Sequence, residues 1–211
     1  MKKFRKFGEQ GKTREEPKNK AGVYFSLFIA GIMIFSVGAI FLSNPEEADY
    51  SFGKYEFKSK NGMWNTKIEG KQVSFYLLPE QVLGHNVSKT AISSIKSNYA
   101  LIIAFNPNTN STPKLQAIDL LRFEVVDALT KTNPSKQLGY AITEKSEKYD
   151  IPVVSCENAS FAMPIMILDY SDKTGIDINN NCIKVFAADE YSMLAMNDYL
   201  KYSIYGVFDE K

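Results

Sequence analysis

Residues 99–142, YALIIAFNPNTNSTPKLQAIDLLRFEVVDALTKTNPSKQLGYAI, carry the pattern that decides the fold. Tyr99 to Phe105 is apolar without interruption and is stopped by Asn106-Pro107, which predicts a strand buried on both faces. Pro113 then occupies the first turn of a helix in which Leu115, Ile118, Leu121, Val125 and Leu129 recur at three- and four-residue spacing, ending near Lys131. A second short apolar segment, Leu138 to Ile142, follows. Strand, helix and strand in that order predict a parallel crossover.

Toward the C-terminus, Ile151–Val154, Phe161–Tyr170 and Cys182–Ala187 read as further strands, the last two joined by a loop rich in Asp, Asn and Gly. A closing helix takes Asp189 as its N-cap, carries Met193, Met196, Leu200 and Ile204 on one stripe, and ends at Gly206. Toward the N-terminus, Ser88 caps a short helix that runs to about Ser97 and sets Ala91, Ile92 and Ile95 on one side. Before it, Tyr50 to Leu78 alternates apolar and polar residues, with Asn61-Gly62 and Glu69-Gly70-Lys71 as turn signals and Pro79 as terminator. The simplest reading is a three-stranded antiparallel meander with Trp64 on its inner face. The expected fold class is therefore α/β (α+β): a mixed β-sheet domain with an N-terminal antiparallel meander and two to three packing helices, preceded by a transmembrane helix.

That last element rests on Gly22 to Leu42, GVYFSLFIAGIMIFSVGAIFL, inside a stretch from Ala21 to Pro45 that has no charge at all. As a helix it would be about 31 Å long, the thickness of a bilayer core. A cleaved secretory signal is the rival, with Val37-Gly38-Ala39 as a loose cleavage site, but the apolar core exceeds the roughly 7 to 15 residues of a signal peptide. The organisation expected is a basic cytoplasmic tail over residues 1–20, a signal-anchor helix over 21–43 and an exported α/β domain over 44–211. Eight Lys and Arg in the tail, against Glu9, Glu15 and Glu16, set the N-terminus on the cytoplasmic side. Gly22, Ser26 and Ala30 recur every fourth residue and form a candidate helix-packing face.

Composition excludes more than it selects. The 211 residues hold 25 Lys and Arg against 24 Asp and Glu, so no nucleic-acid partner is called for; the bilayer is the partner expected, together with another envelope protein or a second copy of the chain. Two Cys and one His leave no zinc site of four such ligands, and neither a G-x-G-x-x-G nor a G-x-x-x-x-G-K is present, so no cofactor and no metal is expected. The loop from Asp169 to Asp177 fails the EF-hand pattern, because Lys173 stands at its fifth position and Gly175 comes one place late.

Export into an oxidising compartment makes a Cys156–Cys182 disulfide the leading expectation, with two unpaired buried thiols as the alternative. A Cys156 or serine nucleophile would have to use His85, the one histidine, and no G-x-S-x-G is present. No catalytic residue is therefore assigned. Asn86, Asn110 and Asn158 head N-glycosylation sequons.

The C-terminal quarter, with Cys156-Glu157-Asn158-Ala159, Asn181-Cys182-Ile183-Lys184-Val185 and Asp198-Tyr199-Leu200-Lys201-Tyr202 before Gly206-Val207, resembles a group of uncharacterised single-span archaeal membrane proteins. The resemblance implies an archaeal surface setting and a paired role for the two cysteines. Tyr199 departs from it, since an arginine is more usual there. The function expected is binding or assembly at the cell envelope. Alternatives are a membrane-anchored hydrolase using His85 with Cys156 or a serine, and a subunit of a surface filament or layer.

Overall fold

The structure is a computed structural model and describes residues 20–42, 49–109 and 111–209, with Ala21, Ser36–Leu42 and Asp49 described as backbone only. The chain divides between Glu46 and Glu47 into two units.

The first unit contains helix α1, Lys20–Leu42. Its large apolar side chains from Val23 to Phe35 are exposed. Ser26 Oγ donates to the Gly22 carbonyl at 2.9 Å, so the one hydroxyl on the small-residue face is satisfied within its own helix. Among the described residues no helix is long and apolar enough to cross a membrane; the side chains of Ser36–Leu42 lie outside that description.

The second unit is a mixed α/β domain built in layers. An antiparallel sheet of four strands comes first: β1 (Asp49–Phe52), β2 (Tyr55–Lys60), β3 (Met63–Ile68) and β4 (Lys71–Phe75), in sequential order. Asn61 and Gly62, and Glu69 and Gly70, all adopt positive φ, which makes the two expected turns as tight as their sequences allow. The meander expected with three strands has four, because Gly53 at φ 58° lets β1 fold back on β2. Trp64 is half-buried on the inner face, edge-on to Tyr50.

Six further strands form the second sheet: β5 (Asn86–Val87), β6 (Ala100–Phe105), β7 (Gln137–Ile142), β8 (Ile165–Tyr170), β9 (Gly175–Asn179) and β10 (Cys182–Ala187). Their order is β5-β9-β10-β8-β6-β7. The run β10, β8, β6, β7 is parallel and β9 is antiparallel to β10, so the sheet is mixed, as expected. Helices α2 (Pro79–Leu83), α3 (Lys89–Ser97), α4 (Thr112–Thr132) and α5 (Glu190–Ile204) complete the domain. Ser88 and Asp189 cap α3 and α5 by accepting from Ala91 and Ser192, as their positions predict.

Helix α5 lies between the sheets. It packs on β10 and on α4, and Tyr202 stacks on Phe75 with ring centroids 3.9 Å apart while meeting Phe57 edge-on. One continuous core results, from Phe57 and Phe75 through Leu121, Val125, Met196 and Leu200 to Ile103, Leu168 and Val185.

Two expected strands are corrected. Ile151–Val154 makes a single bridge, Ile142 to Val153, because Pro152 has no N–H with which to continue a ladder. Phe161–Tyr170 becomes a strand only at Ile165, after Pro164, and Phe161 is 81% exposed. Conversely, β9 occupies the loop expected between β8 and β10. Residues 152–163 form instead a strap across the second sheet.

Candidate functional site

Alternation along β6 sends Leu101, Ile103 and Phe105 to the helices and Ile102 and Ala104 to the opposite face. On that opposite face lies a second, smaller core of Ala104, Ala141, Ile165, Ile167 and Cys182, covered by Val154, Cys156 and Ala159 of the strap. Parallel sheets bury both faces, commonly under helices. Among the described residues, one face has helices and the other has only the strap.

The Cys156–Cys182 disulfide fastens the strap, with Cα atoms 5.2 Å apart, to the first residue of β10. Cys182 is buried and Cys156 half-buried. Ser155 turns the strap just before the bond: its N–H donates to Asn158 Oδ1 at 2.8 Å and its Oγ accepts from the Glu157 N–H. At the far end the Ile142 N–H donates to the Pro152 carbonyl and the Val154 N–H to the Ile142 carbonyl, each at 2.9 Å.

The strap leaves a groove of about 480 Å³ at the carboxyl ends of β6, β7, β8 and β10. This is where open α/β sheets bind ligands, outside the strand ends at the point where the strand order reverses, here between β6 and β8. Asn106 and Thr143 follow β6 and β7, Asp169 ends β8, and Lys184 and Phe186 come from β10. Register sets Asp169 beside Phe186, and Lys184 between Ile167 and Asp177, so both charges stand on the open face. Among the described residues no carboxylate lies within ion-pairing distance of Lys184. Asp169 Oδ1 accepts from the Tyr170 N–H, and Glu144 accepts from Asn108 Nδ2, both at 2.8 Å. The Tyr170 hydroxyl donates to the Lys114 carbonyl; burial, with the charges of Glu190 and Asp189, raises it to about 12, so it remains a donor. The groove thus offers hydroxyls, an amide, both signs of charge and an aromatic floor, which can hold a small polar ligand.

The residues singled out in the sequence are dispersed. His85 precedes Asn86, which pairs with Gly175 opposite Phe186, whereas Cys182 opens β10 four residues earlier. His85 and the disulfide therefore stand at opposite ends of the sheet, on the order of 13 Å apart along the strand direction. With its sulfur in a disulfide, Cys156 offers no thiolate, so the pairing of His85 with Cys156 lacks its nucleophile. Asn86 and Asn158 are exposed, and Asn110 lies outside the described residues. Gly22, Ser26 and Ala30 share the exposed surface of α1. Among the described residues no three His, Cys, Asp or Glu gather as metal ligands.

A buried polar cluster was not anticipated. Asp198 Oδ2 accepts from the Tyr76 and Leu77 N–H groups at 2.6 and 2.7 Å, and Oδ1 accepts from Asn197. Lys201 pairs with Glu124 and donates to the Ser74 carbonyl at 2.7 Å, and the Tyr202 hydroxyl donates to the Leu77 carbonyl at the same distance. Burial pushes the Asp198 carboxyl up to about 7, against the opposing pull of Lys201 and the two backbone donors. Such a shift also marks active sites. Here the main chain just after β4 takes up the carboxylate, so the cluster clamps the meander to α5.

Comparisons with protein-family models, with curated proteins and with solved structures found no match to this chain. The resemblance of the C-terminal quarter to archaeal single-span proteins rests on the quoted residues alone.

Proposed function

We propose that the chain is a single-pass membrane protein in which α1 spans the bilayer with the N-terminus cytoplasmic, and in which the unit from Glu47 is an extracytoplasmic binding or assembly domain of the envelope. The observation that carries this reading is the joining of a helix that is uncharged after Lys20 to a domain closed by a disulfide, since disulfides persist in compartments outside the cytoplasm. The uncharged run from Ala21 to Pro45 and the eight cations before it support the span and its orientation. Binding is favoured over catalysis because the groove holds no histidine and no activated nucleophile among its lining residues.

Right-side-out vesicles carrying the full chain test it. Added protease is expected to digest the unit from Glu47 while the tail stays protected, and alkaline extraction is expected to leave the chain with the lipid. A protected domain would overturn the orientation, and release by alkali would overturn the span. A hydrolase using His85 with a serine is the second reading, and His85→Ala must then abolish any activity found.

A further inference from the structure

The outer face of the four-stranded sheet holds a hollow of about 520 Å³ lined by Lys54, Lys58, Lys60 and Lys67, with Glu56 as the carboxylate in its wall. Charge in the second unit is divided by position. Residues 49–78 hold five lysines against Asp49, Glu56 and Glu69, whereas residues 79–211 hold twelve Lys and Arg against sixteen Asp and Glu. A body charged in this way turns its basic end toward an anionic surface and its acidic remainder away. The basic end is also the tethered end: six residues, 43–48, separate α1 from β1. Fully extended, they reach only about 20 Å.

We propose that the lysine face of the meander docks on the anionic phosphate headgroups of the membrane that holds α1. The inference rests on α1 being a span, since the short linker then tethers the meander near the headgroups. The chemistry is general attraction of a lysine cluster to a phosphate-rich surface, acting within a Debye length of about 8 Å at physiological salt. The four-stranded sheet suits this role because Phe57, Phe75 and Ile68 fix it to the core on its other face, so the lysines are held on a rigid platform.

The test uses the full chain reconstituted in nanodiscs of neutral phosphatidylcholine, or of phosphatidylcholine with roughly three parts in ten of anionic phosphatidylglycerol. Lysines are acylated for short times and read peptide by peptide by mass spectrometry. Lys60 and Lys67, both on the outer face, are expected to react about fivefold more slowly in the anionic discs, with the difference lost near 1 M salt. Exposed Lys145 and Lys148, elsewhere on the domain, are expected to react equally in both. The variant Lys67→Glu, on a solvent-facing position that leaves the core intact, is expected to return Lys60 to its rate in neutral discs. Equal rates for Lys60 and Lys67 in both lipids, with the chain retained through an alkaline wash, overturn the docking and leave the span standing. Equal slowing of Lys145 and Lys148 would show unoriented adsorption and also overturns it. Protection in neutral discs only on adding an anionic polysaccharide assigns the face to a polymer and overturns the lipid. Loss of the chain from both kinds of disc overturns span and docking together.

Discussion

Asp198 is a carboxylate that burial has pushed toward neutrality while three N–H groups hold it as an acceptor. Its proton is held to about pH 7 in the folded chain and only to the ordinary value of 3.8 when unfolded, so the stability tied to that proton is full below pH 3.8 and is lost as pH rises through 7. Lys201 and Glu124 face the same cluster, so the comparison is best made with the isosteric Asp198→Asn. The unfolding free energy of wild type relative to that variant is expected to fall between about pH 4 and pH 8 in urea titrations; a flat difference would mean the group does not titrate there. Asp198→Ala strands two main-chain donors and is expected to cost about 2–3 kcal/mol. Nothing in the sequence announced this. Asp198 and Lys201 are three apart on a helix, which reads as a surface ion pair, and only the packing of β4 on α5 turns both inward.

The strap is the element whose removal is most informative. Replacing both Cys156 and Cys182 by serine opens a loop 26 residues long and is expected to cost about 3 kcal/mol in chain entropy. The loss is local as well as global: proteolysis between Pro152 and Met163 is expected to accelerate while amides of α4 and α5 keep their exchange protection, because the strap covers only the smaller core. Equal loss of protection in α4 and α5 would make the strap part of the main fold. At the opposite edge, a Cβ on Gly175 would land on the Asn86 carbonyl and press on Phe186. Gly175→Ala is expected to cost roughly 1–3 kcal/mol in a thermal melt, by separating β5 from β9. Elements with long apolar periods, α4, α5 and β6, were legible. Strand β9 was not, because Gly175-Ile-Asp-Ile-Asn179 sits among turn-forming residues and is held as a strand by pairing with β10 and β5.

Across the whole molecule the two sheets share one core through α5, so the second unit is expected to unfold in a single step. Phe75→Ala, in the meander, is expected to cost about 3–5 kcal/mol. Trp64, the one tryptophan, reports on the meander, and far-UV dichroism reports mostly on the helices. Both are expected to move together in the variant; separate midpoints would show that the meander unfolds on its own. By itself the sequence determined the helix over the uncharged run after Lys20, the parallel crossover, the turns at Asn61-Gly62 and Glu69-Gly70, the caps at Ser88 and Asp189, and a choice between a disulfide and two free thiols for Cys156 and Cys182. Each is set by the local chemistry of neighbouring residues or by hydrophobic period. Tertiary structure alone decided that choice, the strand order, the open face with its strap, the groove at the carboxyl ends of β6 and β8, and the inward turn of Asp198 and Lys201. Those depend on which distant segments meet, and period and propensity carry no information about partners far away in the chain.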